Sequence, residues 1–417
     1  MSNPLPQELL DSIVDFVPSH EYQTLASCSL AFRGLATPAR PRQFHTITLM
    51  HGPPGRSKAR RSQITPSQKF SALLERSPDI AKLIKTLNII DGEDERYWTT
   101  NRNAGRALAM VIPLLTALEN LSFRVEGRTL TRWSALAAGV KAALKDIAPQ
   151  LQGIHFCGLI FDSAPAVKEI FTILQASMPS RLKELSLSFE ADGPPLGEIR
   201  TETGENWRLQ LQSLVFSDHE IGGQMTNFVT KVVDLSCLRS LSFSGLAEEE
   251  LDVFFRALPP ANVIEEFTVW FISDYLPPQG PPNFATHFPR LRRLYLSAFF
   301  PLAVFRGVLE NCLSIPTLSL DSITCESPHF QFLFDGTQAD EQAEWQRFVE
   351  VLKRFPKSVQ GMQFGISSWL TNTKPAVECS RRVASIVDHL DASHLLRVET
   401  VLPHALIHSF YTPKAEQ

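Results

Sequence analysis

The sequence predicts an α/β fold, a solenoid of short parallel strands with outer helices, preceded by a small all-α module. Three observations predict it. Within RLKELSLSF at Arg181–Phe189, Leu182, Leu185 and Leu187 stand at L-x-x-L-x-L spacing. Leu185 and Leu187 then share one face of a strand while Leu182 packs in from the turn before it. The same frame recurs at Ile84–Leu87–Ile89, Leu118–Leu121–Phe123, Leu151–Ile154–Phe156, Leu211–Leu214–Phe216, Leu238–Leu241–Phe243, Ile264–Phe267–Val269, Leu291–Leu294–Leu296 and Ile315–Leu318–Leu320, with weaker copies at Val359–Met362–Phe364 and Leu395–Val398. From Leu121 to Leu318 the second positions lie 33, 31, 29, 27, 26, 27 and 24 residues apart, a near-regular period that unrelated strands have no reason to keep.

These are irregular leucine-rich repeats, about ten copies over residues 67–410. One copy cannot bury its own apolar face, so the copies must stack. Helical patterns between them are expected at Ser67–Arg76, Ala104–Leu115, Arg132–Ile147, Ala166–Met178, Met225–Leu235, Glu248–Leu258, Ala303–Leu313 and Glu341–Phe355. Gly193–Trp207 and Ser273–Phe288 replace helices with polar or Pro-rich loops, and an insertion widens the interval from Leu318 to Met362. Long loops in a compact chain are functional or disordered. The tail Tyr411–Gln417 is expected to fray.

With 44% hydrophobic and 20% charged residues among 417, the composition is that of an ordinary soluble protein. The first residues, MSNPLPQELLDSIVDF, lack a basic segment followed by an apolar run, and no stretch has the roughly 20 uncharged apolar residues of a bilayer span. Six widely scattered cysteines without a C-x-x-C pair point to free thiols in the cytoplasm or nucleus. The net charge of −4 conceals a basic block: no acidic residue lies between Glu21 and Glu75, where Arg33, Arg40, Arg42, Arg56, Lys58, Arg60, Arg61 and Lys69 fall.

Residues 1–50 read as a helical module. Pro6 suits a first helical turn, Leu9, Leu10, Ile13, Val14 and Val17 follow at helical spacing, Pro18 and Ser19 stop the run, and Glu21–Leu35 restarts it. This segment resembles the F-box, the adaptor-binding module of SCF-type cullin-RING ubiquitin ligases. The resemblance rests on Leu5-Pro6, Glu8-Leu9-Leu10, Ile13, Leu25 and Leu30 followed by Arg33, with Ala39-Arg40 and Phe44–Leu49 similar to the tail behind fungal F-boxes. Phe32 and Leu35 stand where family members usually carry Cys and Trp, and about three residues near Cys28 are inserted. The resemblance implies an adaptor contact through Leu5, Pro6, Leu9, Leu10, Ile13, Leu25 and Leu30, and through the adaptor a cullin. The order of segments resembles F-box/leucine-rich-repeat substrate receptors. The same helices also suit a cap for the solenoid.

Residues 51–66 form a basic Pro/Gly/Ser linker. HGPPGRSK superficially matches a phosphate-binding loop, but Ser57-Lys58-Ala59 replaces the required Gly-Lys-Ser/Thr and no apolar helix follows. RSKARR reads as a solvated linker before a nuclear-import signal or a phosphate contact, and without interleaved aromatics it argues against nucleic acid. His404 and His408 lack the Glu of H-E-x-x-H, and His155 beside Cys157 sits on a strand, so neither marks a metal site. The sequence holds no catalytic constellation, cofactor motif or metal set, and an enzyme is not expected.

The better candidates lie on the strand face away from the helices, where residues flanking the last two apolar positions point. These are Asn120, Ser122, Arg124; Gly153, His155, Cys157; Glu184, Ser186, Ser188; Ser213, Val215, Ser217; Ser240, Ser242, Ser244; Glu266, Thr268, Trp270; Arg293, Tyr295, Ser297; and Thr317, Ser319, Asp321. Trp270, Arg293 and Tyr295 belong to the residue types that dominate interface hot spots. With Glu266 and Arg124 they are the expected binding set for a protein substrate, Arg124 and Arg293 being the two that could meet a phosphate. The expectation is a non-catalytic SCF substrate receptor, with a repeat scaffold outside any ligase as the alternative.

Overall fold

A computed structural model describes residues 5–18, 21–50, 64–91, 99–125, 131–160, 164–177, 181–189, 208–218, 230, 232–244, 254–271, 286–298, 302–315, 320–327, 338–355, 359, 361–367, 374–390 and 395–401. The chain divides into two compact units, residues 1–182 with 192–199, and residues 183–191 with 200–417.

The first unit begins with α1 (Gln7–Asp15), α2 (Tyr22–Ala31) and α3 (Arg33–Phe44). Val14, Leu25 and Ala39 form their core, with Val17, Cys28 and Leu35 packed against it. Proline at 38 removes an α3 hydrogen bond to the Gly34 carbonyl, which instead accepts from the Gln7 side chain at 3.2 Å. Arg42 donates to the Val14 carbonyl and to Asp15, both at 2.9 Å, satisfying the C-terminal end of α1.

Strands β1 (Thr46–Met50), β2 (Thr86–Asp91), β3 (Asn120–Val125) and β5 (Gly153–Cys157) then pair in parallel, with β4 (Thr131–Arg132) and β6 (Leu159–Ile160) as a separate short pair. Between them stand α4 (Pro66–Arg76), α5 (Arg102–Val111), α6 (Ala138–Ile147) and α7 (Ala164–Ala176). A capping box fixes the start of α4: the Gln68 N–H donates to Thr65 Oγ1, and the Thr65 N–H donates to Gln68 Oε1. Gly158, at φ 73°, turns the chain between β5 and β6 in a conformation that L side chains resist.

Two expectations need correction here. Arg132 is not helical: Thr131–Arg132 is a strand, Trp133–Ala135 a 3₁₀ turn, and helix begins at Ala138. The cause is Trp133, which is fully buried edge-on to Phe156 and donates from its indole N–H to Glu169 at 2.7 Å. Residues 46–50 are also a full rung, with Ile47 opposite Leu87 and Leu49 opposite Ile89, so the repeats begin before the basic segment.

The second unit contains β7 (Glu184–Phe189), β8 (Ser213–Asp218), β9 (Ser240–Ser244), β10 (Glu266–Phe271), β11 (Arg293–Ala298), β12 (Ser322–Ser327), β13 (Gly361–Ser367) and β14 (Arg397–Val401), each parallel to the next. Its described helices include α8 (Leu302–Leu313), α9 (Gln338–Lys353) and α10 (Lys374–His389). Leu185, Leu214, Leu241, Phe267 and Leu294 form one row across five strands, and Leu187, Phe216, Phe243, Val269 and Leu296 the next. Both rows are buried. Phenylalanines interlock along them: Phe243 meets Phe254 at 4.7 Å and Phe267 meets Phe288 at 4.6 Å between ring centroids. Such rows are the repeat architecture that the leucine spacing anticipates. Residues 225–229 and 248–253 of two expected helices lie outside the described residues.

One repeat is misframed by sequence. The strand is Ser322–Ser327, with Leu320, Ile323 and Cys325 in the three apolar positions and Ile323 opposite Leu294. A backbone clamp sets this frame. At each step two successive N–H groups donate to one carbonyl of the preceding copy: Glu265 and Glu266 to Arg239, Arg292 and Arg293 to Glu265, then Asp321 and Ser322 to Arg292, at 2.7–3.2 Å. The last expected copy shifts too: Val398 lies opposite Phe364, the third apolar position, and buried Leu396 takes the second.

Candidate functional site

Two surfaces collect the expected site residues, one in each unit. On the first, α1 divides its apolar residues between two faces. Leu10 and Val14 turn into the module, while Leu9, Ile13 and Phe16, spaced four and three apart, line the other side with exposures of 52%, 47% and 88%. Leu5 extends this stripe at 56%. Pro6 is exposed and its carbonyl receives the first helical N–H groups, from Leu9 and Leu10. Leu30 is 88% exposed on α2. Leu25, in contrast, is fully buried beside Val14, so it and Leu10 hold the module together from inside. The Phe32 ring leans over Gly34: a Cβ there would lie 2.6 Å from Phe32 Cε1 and 2.7 Å from Leu10 Cδ1. Glycine at 34 is what lets that ring approach α1.

On the second unit, pairing lays the strand residues that face away from the helices out in rows. One row reads Ser213, Ser240, Glu266, Arg293, Ser322, and the next reads Val215, Ser242, Thr268, Tyr295, Thr324. Arg293 forms an ion pair with Glu266, which also accepts from Ser240 at 3.4 Å. The Tyr295 hydroxyl donates to Glu326, a buried carboxylate on β12. Burial first, then the Glu326 charge and hydrogen bond, hold the phenol far above its ordinary range. Tyr295 therefore stays a neutral donor at any physiological pH.

Glu266 and Arg293 thus pair across β10 and β11, and Tyr295 lies two residues further along β11, turned to Glu326 on the other side. The Trp270 backbone sits in β10 in the row of Ser297 and Glu326, and its side chain lies outside the described residues. Arg124 does not join them: it lies in the first unit, in register with Cys157, and is only 7% exposed. Of the expected outward set Thr317, Ser319 and Asp321, the first two lie outside the described residues, and Asp321 precedes the strand, 3.9 Å from Arg292. Ser322, Thr324 and Glu326 take the face positions instead. Sequence reasoning missed Glu326 because it missed this frame. The usable signal was Leu320-x-x-Ile323-x-Cys325, with cysteine counted as apolar.

No protein-family model and no curated protein matches this chain. Among solved structures, that of the Rad7 and Elc1 complex in yeast is similar over 96% of this chain and 93% of that chain, at 12% sequence identity and a TM-score of 0.44. Among the described residues no group of three His, Cys, Asp or Glu could hold a metal ion, and no helix is long and apolar enough to cross a membrane. His404 and His408 lie outside the described residues, and His155 is buried on β5.

Proposed function

We propose that this chain is a non-catalytic substrate receptor of an SCF-type cullin-RING ubiquitin ligase. Helices α1–α3 dock on the Skp-type adaptor, and through it a cullin, while the repeats hold a protein substrate in the cytoplasm or nucleus. One observation carries the reading. The module closes a small core of Val14, Leu25 and Ala39, yet leaves Leu5, Leu9, Ile13, Phe16 and Leu30 about half or more exposed. Apolar exposure of that kind on so small a module marks a contact surface. It includes four of the residues that the F-box resemblance implies for adaptor contact. On the repeats, Arg293, Tyr295 and Glu266, with Trp270, are the proposed substrate contacts.

A second reading also has an observation behind it. β1 follows α3 after His45 alone, and the His45 carbonyl accepts from the Lys85 and Thr86 N–H groups at 2.9 and 3.0 Å. The module would then be a cap on the first rung of a repeat scaffold that enters no ligase. Co-purification with the Skp-type adaptor separates the two. Wild type should retain the adaptor, and Leu9→Asp with Ile13→Asp should release it while the circular-dichroism melt stays unchanged. Failure of the wild type to retain the adaptor refutes the ligase reading.

A further inference from the structure

A cleft opens between α6 and α7 of the first unit, away from the residues assigned above. Small side chains create it: Ala138 and Ala142 face it from α6, and buried Leu136 and Ile173 form its floor. Its volume is about 530 Å³, within the range of small-molecule sites.

The rim is charged and partly fixed. The Trp133 indole N–H holds Glu169 at 2.7 Å, and Glu169 holds Lys141 at 3.0 Å. The Lys141 ammonium also lies 5.6 Å from the Trp133 ring centroid. Burial pushes the Glu169 carboxyl up, but the Trp133 and Lys141 hydrogen bonds outweigh it and hold the group below its usual range. Lys141 is therefore neutralised and locked in place. Lys145, one turn further along α6, lines the same cleft and makes no ion pair among the described residues. Apolar floor, fixed ion pair and one uncompensated cation define a complementary shape and charge.

We propose that this cleft binds a small amphipathic monoanion, its carboxylate head against Lys145 and its apolar body on Leu136, Ala138, Ala142 and Ile173. This stands independently of the ligase reading, because α1 takes no part in it.

The test is isothermal titration of the full chain with sodium decanoate, and with decyltrimethylammonium as a probe of equal tail and opposite head. Wild type should bind decanoate and take the cation about two- to fivefold more weakly, the scale of one surface charge interaction. Lys145→Glu should weaken decanoate by about two- to fivefold or more by reversing that charge. Ala142→Trp should abolish binding by filling the cleft, and both positions are exposed enough to leave the melt unchanged. Leu9→Asp with Ile13→Asp should bind decanoate as wild type does. The proposal is overturned if wild type takes up no decanoate below its micelle concentration. It is equally overturned if both head groups bind alike, if Lys145→Glu binds as wild type, or if the Leu9/Ile13 pair abolishes uptake.

Discussion

The aromatic packing of the second unit can be tested by a double-mutant cycle on Phe267 and Phe288. Both rings are fully buried, and their centroids lie 4.6 Å apart at an interplanar angle of 38°. Changing either to leucine keeps the site apolar but removes the ring contact, at a cost of about 1–2 kcal/mol for each single change. The pair term beyond area burial should be about 0.5–1.5 kcal/mol, so the double mutant should lose less than the sum of the singles by that amount. Phe267 with Phe364 supplies the control, since β10 and β13 are separated by β11 and β12, roughly 14 Å apart, and Phe267 packs on Phe243 and Phe255 while Phe364 packs on Phe305, Trp345 and Phe348. That pair should be additive within about 0.3–0.5 kcal/mol. Because the chain has two units, a global melt would mix their transitions. Hydrogen exchange read on peptides covering β9–β11 measures the relevant opening free energy. A Phe267–Phe288 coupling no larger than the control would refute the claim that ring-to-ring contact, rather than burial alone, ties these rungs together.

Two further outcomes follow from local geometry. In Gly153→Ala the new Cβ would fall 2.4 Å from Asn120 Oδ1 and 3.2 Å from His155 Nε2. The variant should lose about 1–3 kcal/mol of stability, and adding Asn120→Ala should recover part of it; a neutral single mutant in urea titration would show that Asn120 can move aside. Burial lifts the Cys312 thiol from 9.0 to about 12, so above pH 9 the unfolded chain binds fewer protons than the native one. This contribution to stability is complete below pH 9 and declines as pH rises towards 12, by up to about 1.4 kcal/mol per pH unit. The urea midpoint should therefore fall between pH 9 and 10.5, and less steeply in Cys312→Ala; equal slopes would contradict the assignment.

Much of the fold was legible because its rule is one-dimensional. An apolar residue three positions before the first of two alternate apolar residues locates β2, β3, β5 and β7–β11 without any structure. Where the rule failed, two frames competed or a signal went uncounted. Ile315–Leu318–Leu320 and Leu320–Ile323–Cys325 both satisfy the spacing, and the first is the more apolar. The choice between them is made by the clamp of Asp321 and Ser322 on the Arg292 carbonyl, a backbone contact that side-chain spacing cannot express. β1 also obeys the rule, through Phe44, Ile47 and Leu49, but the same residues resemble the tail behind fungal F-boxes, which assigns them to the module instead. Helix α10 was overlooked although buried Cys379, Val383 and Val387 recur every fourth residue. Glu326 followed β12 out of view, and with it the partner of Tyr295.

The α1 stripe, proposed above as a contact surface, is not leftover core. Three helices of 9, 10 and 12 residues are too short to persist alone, so their stability must come from packing. Their packing uses Leu10, Val14, Leu25, Ala39 and Leu35, and α3 supplies the junction to β1. After both demands are met, Leu5, Leu9, Ile13 and Phe16 still lie along one side of α1. Each fully buried aliphatic side chain contributes about 1.5–3 kcal/mol, so burying the exposed half of Leu9 and Ile13 together would supply about 1.5–3 kcal/mol to a partner. The module itself gains nothing from them in that exposed state. Capping and the proposed docking therefore draw on different helices, α3 for the first and α1 for the second, so the two readings do not compete for the same residues.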